Sequence, residues 1–231
     1  MRRFAVIGLG RFGKKLALDL ALSGAEVIAI DKNKEQIEEI RDDVSHAVRL
    51  DSTDEEALRA QGVDKVDVAV ISIGQGGGGG KGFESAILTV VNLRQLGVPH
   101  IYARAEDPIS GEVFSKVGAT EVIYPEVESA QRWAYKLIAP QISEKIDFAP
   151  GYSLASVRAP ASFDGRSVGD LHLRQKYSVN LVAVKRNEQA CAVKGEKDGI
   201  INVPMPETII YKGDILMVAG SDEDLAKLPQ E

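Results

Sequence analysis

Gly8, Gly10 and Gly13, separated by Leu9, Arg11 and Phe12, follow directly on the apolar run Phe4 to Ile7. A glycine loop placed between a strand and a helix is built to hold phosphate. It turns tightly, lets backbone approach an anion, and leaves N–H groups free at the helix start. Asp31 closes the next apolar run, Val27 to Ile30, about 20 residues further on, where a carboxylate can accept both ribose hydroxyls. Lys32 follows at the same edge. The Asp31 charge would repel a 2′-phosphate, which disfavours NADP and leaves ATP, ADP, NAD and NADH open. Arg11 in the loop, with Lys14 and Lys15 in the first helical turn, sets cations where the helix dipole opposes them. An anion with more charge than a pyrophosphate would remove that conflict.

Asp51 and Ser52 end a third apolar run, Ala47 to Leu50, and are expected at the adenine edge of the crevice. A fourth run, Val66 to Ile71, leads to Ile73 and Gly74, further candidates for ligand contact, and then to five glycines, Gly76 to Gly80, before Lys81. This stretch is not a P-loop: GxxxxGK[ST] would need Gly at Gln75 and Ser or Thr at Gly82. It reads as a flexible excursion beside the crevice. The three His residues, His46, His100 and His172, and the single Cys, Cys191, stand in no catalytic setting. Paired CxxC cysteines, metal-ligand spacing and a serine nucleophile elbow are all absent. The residues therefore describe a nucleotide sensor rather than an enzyme.

The elements that must position these groups follow from periodicity. Short apolar runs at Phe4–Ile7, Val27–Ile30, Ala47–Leu50, Val66–Ile71, His100–Ala103 and Glu121–Ile123 alternate with amphipathic segments such as Leu16–Leu22, Lys34–Arg41 and Ala86–Leu96. That order predicts an α/β fold with a Rossmann-like, doubly wound parallel sheet. Thr53-Asp54-Glu55-Glu56 reads as a capping box and Asp107-Pro108 as a capped helix start. Beyond the sheet, Val127, Ala130, Ala134, Leu137, Ile138 and Ile142 make an apolar stripe that Pro140 should bend or end. The stripe either covers the sheet or pairs with a second subunit. Phe148-Ala149-Pro150-Gly151 reads as linker. The expected division is residues 1–140 for nucleotide binding, with the pairing helix, 141–152 for the linker, and 153–231 for a smaller α+β domain.

The 231 residues amount to one or two domains at about 150 residues each. Lys plus Arg number 28 against 34 Asp plus Glu, a formal net charge of −6 that argues against nucleic-acid binding. No run approaches the about 18 apolar residues of a membrane span. The basic start Met1-Arg2-Arg3 lacks a signal cleavage site, and a lone cysteine fits a reducing cytosol.

The sequence Phe4 to Gly13, Val27 to Asp31 and Ile123-Tyr124-Pro125-Glu126 resembles the RCK (regulator of potassium conductance) domains of bacterial Trk/Ktr-type potassium-uptake regulators. The second unit resembles their carboxyl-terminal domain at Asp164 to Leu171, Tyr177 to Arg186 and Lys212 to Leu216. The resemblance implies a cytosolic regulatory subunit at the inner face of the membrane. Homodimers would assemble into a ring, an octamer, beneath a potassium channel or transporter, gated by ATP/ADP exchange. It implies that Gly8, Gly10 and Gly13 shape the phosphate loop, Arg11 meets the terminal phosphate, Asp31 holds the ribose and Arg104 lies near the phosphates. Glu126 would help hold a Mg or Ca ion between subunits, and Arg174 and Asn180 would lie in a second-ligand region for cyclic di-AMP. A regulator responding to NAD or NADH, one serving another transporter, and a small NAD-dependent oxidoreductase remain the alternatives. The polyglycine stretch departs from the family, which has a shorter connection there.

Overall fold

The structure is a computed structural model and describes residues 2–74, 81–138, 142–186, 199–201 and 203–229. The expected polyglycine excursion, Gly76 to Gly80, and Cys191 lie outside these residues. The chain divides into two compact units, Met1–Glu128 and Ser129–Glu231.

The first unit alternates β1 (Arg3–Ile7), α1 (Arg11–Leu22), β2 (Glu26–Asp31), α2 (Lys34–Glu38), β3 (His46–Arg49), α3 (Glu55–Ala60), β4 (Val68–Ile71), α4 (Lys81–Gln95), β5 (His100–Arg104), α5 (Pro108–Val117) and β6 (Glu121–Ile123). The strands form one parallel sheet in the order β3-β2-β1-β4-β5-β6. Side chains alternate between faces along a strand, so each central strand must be apolar on both. Ala5 and Ile7 of β1, with Ile28 and Ile30 of β2, enter one buried cluster. Val6, Val27 and Ala29 enter the other, against Ala17 of α1. The doubly wound α/β architecture expected from periodicity is present.

Helix starts show where local chemistry departs from the expected pattern. Asp107 caps α5, its Oδ1 accepting from the N–H groups of Ile109 and Ser110, each at 2.9 Å. The capping box at Thr53 does not form. Asp54 is the cap of α3 and accepts from Ala57 N–H at 3.0 Å, while the Thr53 hydroxyl donates to Asp51 at 2.8 Å. A carboxylate one residue nearer the helix displaces the hydroxyl from its expected role.

α6 (Pro125–Ile138) begins in the first unit and ends in the second, and none of its residues is buried. Leu137 and Ile138 are 76% and 78% exposed, whereas Ile142, expected as the end of the same stripe, lies on a strand of the second unit and is buried in its core.

The second unit holds an antiparallel sheet, β10-β9-β11-β8-β7, made of β7 (Ile142–Ala149), β8 (Tyr152–Arg158), β9 (Asn180–Lys185), β10 (Ile200–Ile201) and β11 (Ile215–Ser221). The linker expected at 141–152 is corrected here: its residues 142–149 are strand β7. Pro150 and Gly151 form the two-residue loop of a β7–β8 hairpin, with Ala149 opposite Tyr152 and Gly151 at φ +75°. Pro ends the ladder for want of an N–H and Gly supplies the left-handed turn, so a breaker pair makes a hairpin rather than a tether. The helical pattern expected over Val168 to Gln175 is two short helices, α7 (Val168–Leu171) and α8 (Leu173–Tyr177), broken at His172, which has φ 50°. Ser221 caps α9 (Asp222–Ala226), accepting from Asp224 N–H. At the core, Asp214, fully buried, accepts from Arg186 Nη1 at 2.6 Å and from Tyr211 N–H at 2.9 Å.

Candidate nucleotide-binding site

β1 is flanked by β2 on one side and β4 on the other, so the strand order reverses between β1 and β4 and a crevice opens beyond their carboxyl ends. A cleft of about 200 Å³ lies there. Gly8 and Gly10 border it from the glycine loop, Asp31 and Lys32 from the end of β2, Asp51 and Ser52 from beyond β3, and Ile73 and Gly74 from beyond β4.

The three glycines do different physical work. Gly8 has φ +91°, and a Cβ there would lie 2.7 Å from the Ser72 carbonyl carbon, so the loop runs hard against the end of β4. A Cβ on Gly13 would fall 1.9 Å from Gly8 O, which makes glycine the condition for α1 to close on the loop. Gly10 caps α1 in extended conformation without a side-chain partner, and a Cβ on it would meet nothing within 4 Å. The space above Gly10 and the free N–H groups of the first turn fit an anion.

Asp31 ties the glycine loop to the end of β2. Its Oδ2 accepts from Leu9 N–H at 2.7 Å and its Oδ1 from Asn33 N–H at 2.8 Å. A carboxylate has about four acceptor sites, so two hydroxyl donors can still be received. Asp51 Oδ1 accepts from Thr53 N–H at 3.0 Å and from the Thr53 hydroxyl. These two hydrogen bonds hold its carboxyl below the usual aspartate value, helped by Lys32 and opposed by desolvation. Ser52 turns inward: its Oγ lies 2.7 Å from Thr89 Oγ1, and because Thr89 donates to Ser85 O, Ser52 is the donor between them. Its hydroxyl is thus spent on α4, and only the rest of the residue meets the cleft.

The other expected positions stand apart from this lining. Arg11 is exposed at the start of α1 and makes no ion pair among the described residues, while Phe12 is half-buried behind it. Lys14 pairs with Glu39 and Lys15 with Asp19. The expected excess of cations is therefore corrected: two of the three charges are balanced by carboxylates of the chain itself, and Arg11 alone is left for a ligand. Arg104 Nη2 donates to Glu126 Oε1 at 2.6 Å. Desolvation raises the Glu126 carboxyl, but that hydrogen bond and the Arg104 charge carry it below its ordinary value. No group of three or more His, Cys, Asp or Glu among the described residues could hold a metal ion, and Glu126 belongs to no such group. In the second unit Arg174 borders a separate cleft of about 350 Å³ with His172 and Pro206, whereas Asn180 is not in its lining. His46 and His100 are exposed on strand starts and do not border the nucleotide cleft. Ser72, which sequence reasoning passed over, does border it; its one signal was a hydroxyl directly after an apolar run.

Residues 4–125 match the TrkA-N domain family and residues 153–229 the TrkA-C domain family. The chain is similar to Ktr system potassium uptake protein C of Bacillus subtilis (strain 168), at 33% identity over 226 residues, covering 98% of this chain and 95% of that protein. It is also similar to Ktr system potassium uptake protein A of the same organism, at 30% identity over 230 residues, covering 100% of this chain and 96% of that protein. Among solved structures, the GsuK channel shares the fold with a TM-score of 0.63 at 18% identity, over 98% of this chain. The chain spans only 38% of that channel's length. No helix among the described residues is long and apolar enough to cross a membrane.

Proposed function

The chain belongs to the family that carries a TrkA-N domain followed by a TrkA-C domain, and from that premise we propose that it is a nucleotide-responsive regulatory subunit of a potassium-uptake system. The observation that carries the reading is the cleft at the β1/β4 reversal, where a glycine loop with open space over Gly10 faces the Asp31 carboxylate. Full-length similarity to two Ktr potassium uptake proteins supports the transport role. ATP and ADP are the ligands of choice because Arg11, the unbalanced cation of the loop, suits a terminal phosphate. The subunit acts by binding rather than by turnover, on the cytosolic side, beneath a channel or transporter that moves the ion. Homodimers pair through the exposed stripe of α6 and close into a ring, with an octamer as the expected size. A ligand that fits one ring geometry better than another shifts the population by no more than its differential affinity.

The test is calorimetric titration of nucleotide-stripped protein with ATP, ADP, NAD and NADH in one magnesium-containing buffer. Preference for ATP and ADP is expected. In Arg11→Ala the ATP affinity should fall about ten-fold or more, the worth of a hydrogen bond to a charged group, with a smaller loss for NAD. Equal losses for both would make Arg11 a support of the loop. Tighter binding of NAD or NADH by the wild-type chain would shift the signal to the redox couple. The cleft beside Arg174 is the place to look for cyclic di-AMP, and titration of that messenger into the same protein tests it.

A further inference from the structure

Ser72 directly follows β4, at the point where the strand order reverses, and it borders the nucleotide cleft. Its backbone N–H donates to Ile7 O at 2.7 Å, which fixes the residue against β1. The side chain lies under the glycine loop: a Cβ on Gly13 would be 3.2 Å from Ser72 Cβ. Ser72 is only 3% exposed, and its Oγ has no hydrogen-bond partner. The buried hydroxyls of Ser52 and Thr89 are satisfied, since they form a relay that ends on the Ser85 carbonyl. A buried hydroxyl without a partner is a cost that native structures rarely carry, and the four residues before it, Val68 to Ile71, are apolar.

We propose that Ser72 is a phosphate-reading residue: its hydroxyl donates to an oxygen of the diphosphate that the glycine loop holds. A serine has one heavy-atom torsion, so the hydroxyl can swing toward the cleft its own residue borders. An anionic acceptor in a poorly hydrated place makes this the strong kind of hydrogen bond. The ligand class is the nucleoside diphosphate moiety common to ADP, ATP and NAD. An adenosine without phosphates would gain nothing from Ser72. The assignment rests on the nucleotide reading above and adds to it a group that distinguishes phosphorylated from unphosphorylated ligands.

The experiment is Ser72→Ala in the full chain, stripped of nucleotide, with ADP titrated by calorimetry and ligand-free melting followed in parallel. The affinity for ADP should fall about ten-fold, while the ligand-free protein melts at a higher temperature because the orphaned hydroxyl is gone. These effects have opposite signs, which a purely structural hydroxyl would not produce. Ser72→Cys, with a weaker donor of similar size, should fall between and carries the test if the alanine variant does not fold. ADP affinity unchanged in both variants would overturn the assignment and leave an internal water as the partner of Ser72. A lower melting temperature with equal losses for ADP and adenosine would overturn it as well, making Ser72 a packing residue. A wild-type chain that binds none of ADP, ATP and NAD would overturn the nucleotide reading and this assignment together.

Discussion

At Gly10 and Gly13 the same residue type is required for unrelated reasons, and alanine separates them. Gly10 sits in an extended conformation that alanine adopts freely, and nothing lies within 4 Å of the added Cβ. Gly10→Ala is therefore expected to fold with unchanged melting temperature while losing nucleotide affinity by ten-fold or more, because the methyl group occupies the anion's approach; paired melting and titration check this. Gly13→Ala drives a Cβ to 1.9 Å from Gly8 O and should unfold the loop itself. The glycine spacing and Asp31 were legible in the sequence because backbone sterics and a strand end fix them locally. What was not legible was how hydroxyls and charges are spent. Ser52 is turned to Thr89, Lys14 is taken by Glu39, and Arg104 is taken by Glu126, all by residues distant in the chain. Asp31 shows the same economy, since a substitution made to admit a 2′-phosphate also removes the acceptor for Leu9 and Asn33.

Between elements, a polar cluster in the second unit fastens the β7–β8 hairpin to the start of α9 and to α6. Lys145 Nζ lies 2.9 Å from Asp147 Oδ1, 3.0 Å from Asp222 Oδ2 and 4.3 Å from the centre of the Tyr135 ring. The Ser153 hydroxyl faces both carboxylates. The Lys145 hydrogen bond, then that of Ser153, hold the Asp147 carboxyl below its ordinary 3.8. Desolvation lowers the Lys145 ammonium, but its two carboxylate partners outweigh that and raise it. A depressed carboxyl contributes stability that is present above its unfolded value and is lost as pH falls through its folded one. Denaturant midpoints should then drop below about pH 4, and Lys145→Met should flatten that acid limb; a limb unchanged in the variant would place the acid sensitivity elsewhere. At this scale all six strands of the first sheet were legible, since each is an apolar run bounded by turn residues. β7 was not, because Ser143, Glu144, Lys145 and Asp147 give an edge strand too polar to stand out.

For the molecule as a whole, Val127, Leu137 and Ile138 leave an exposed apolar stripe on α6. If the proposed ring forms through this face, Leu137→Glu should give smaller species than the wild-type chain in multi-angle light scattering while leaving the ADP titration unchanged, because the cleft lies wholly among residues of the first unit. An unchanged mass would remove α6 as the pairing face. The parallel sheet has a further consequence, for the order in which the protein is made. β1 is a central strand, and Ile7 pairs with both Ile30 and Ile71. The phosphate loop thus leaves the ribosome ahead of β4, and it has no floor until that strand has been translated. A nascent chain cut short before Ser72 carries every glycine of the motif and no place to put a phosphate.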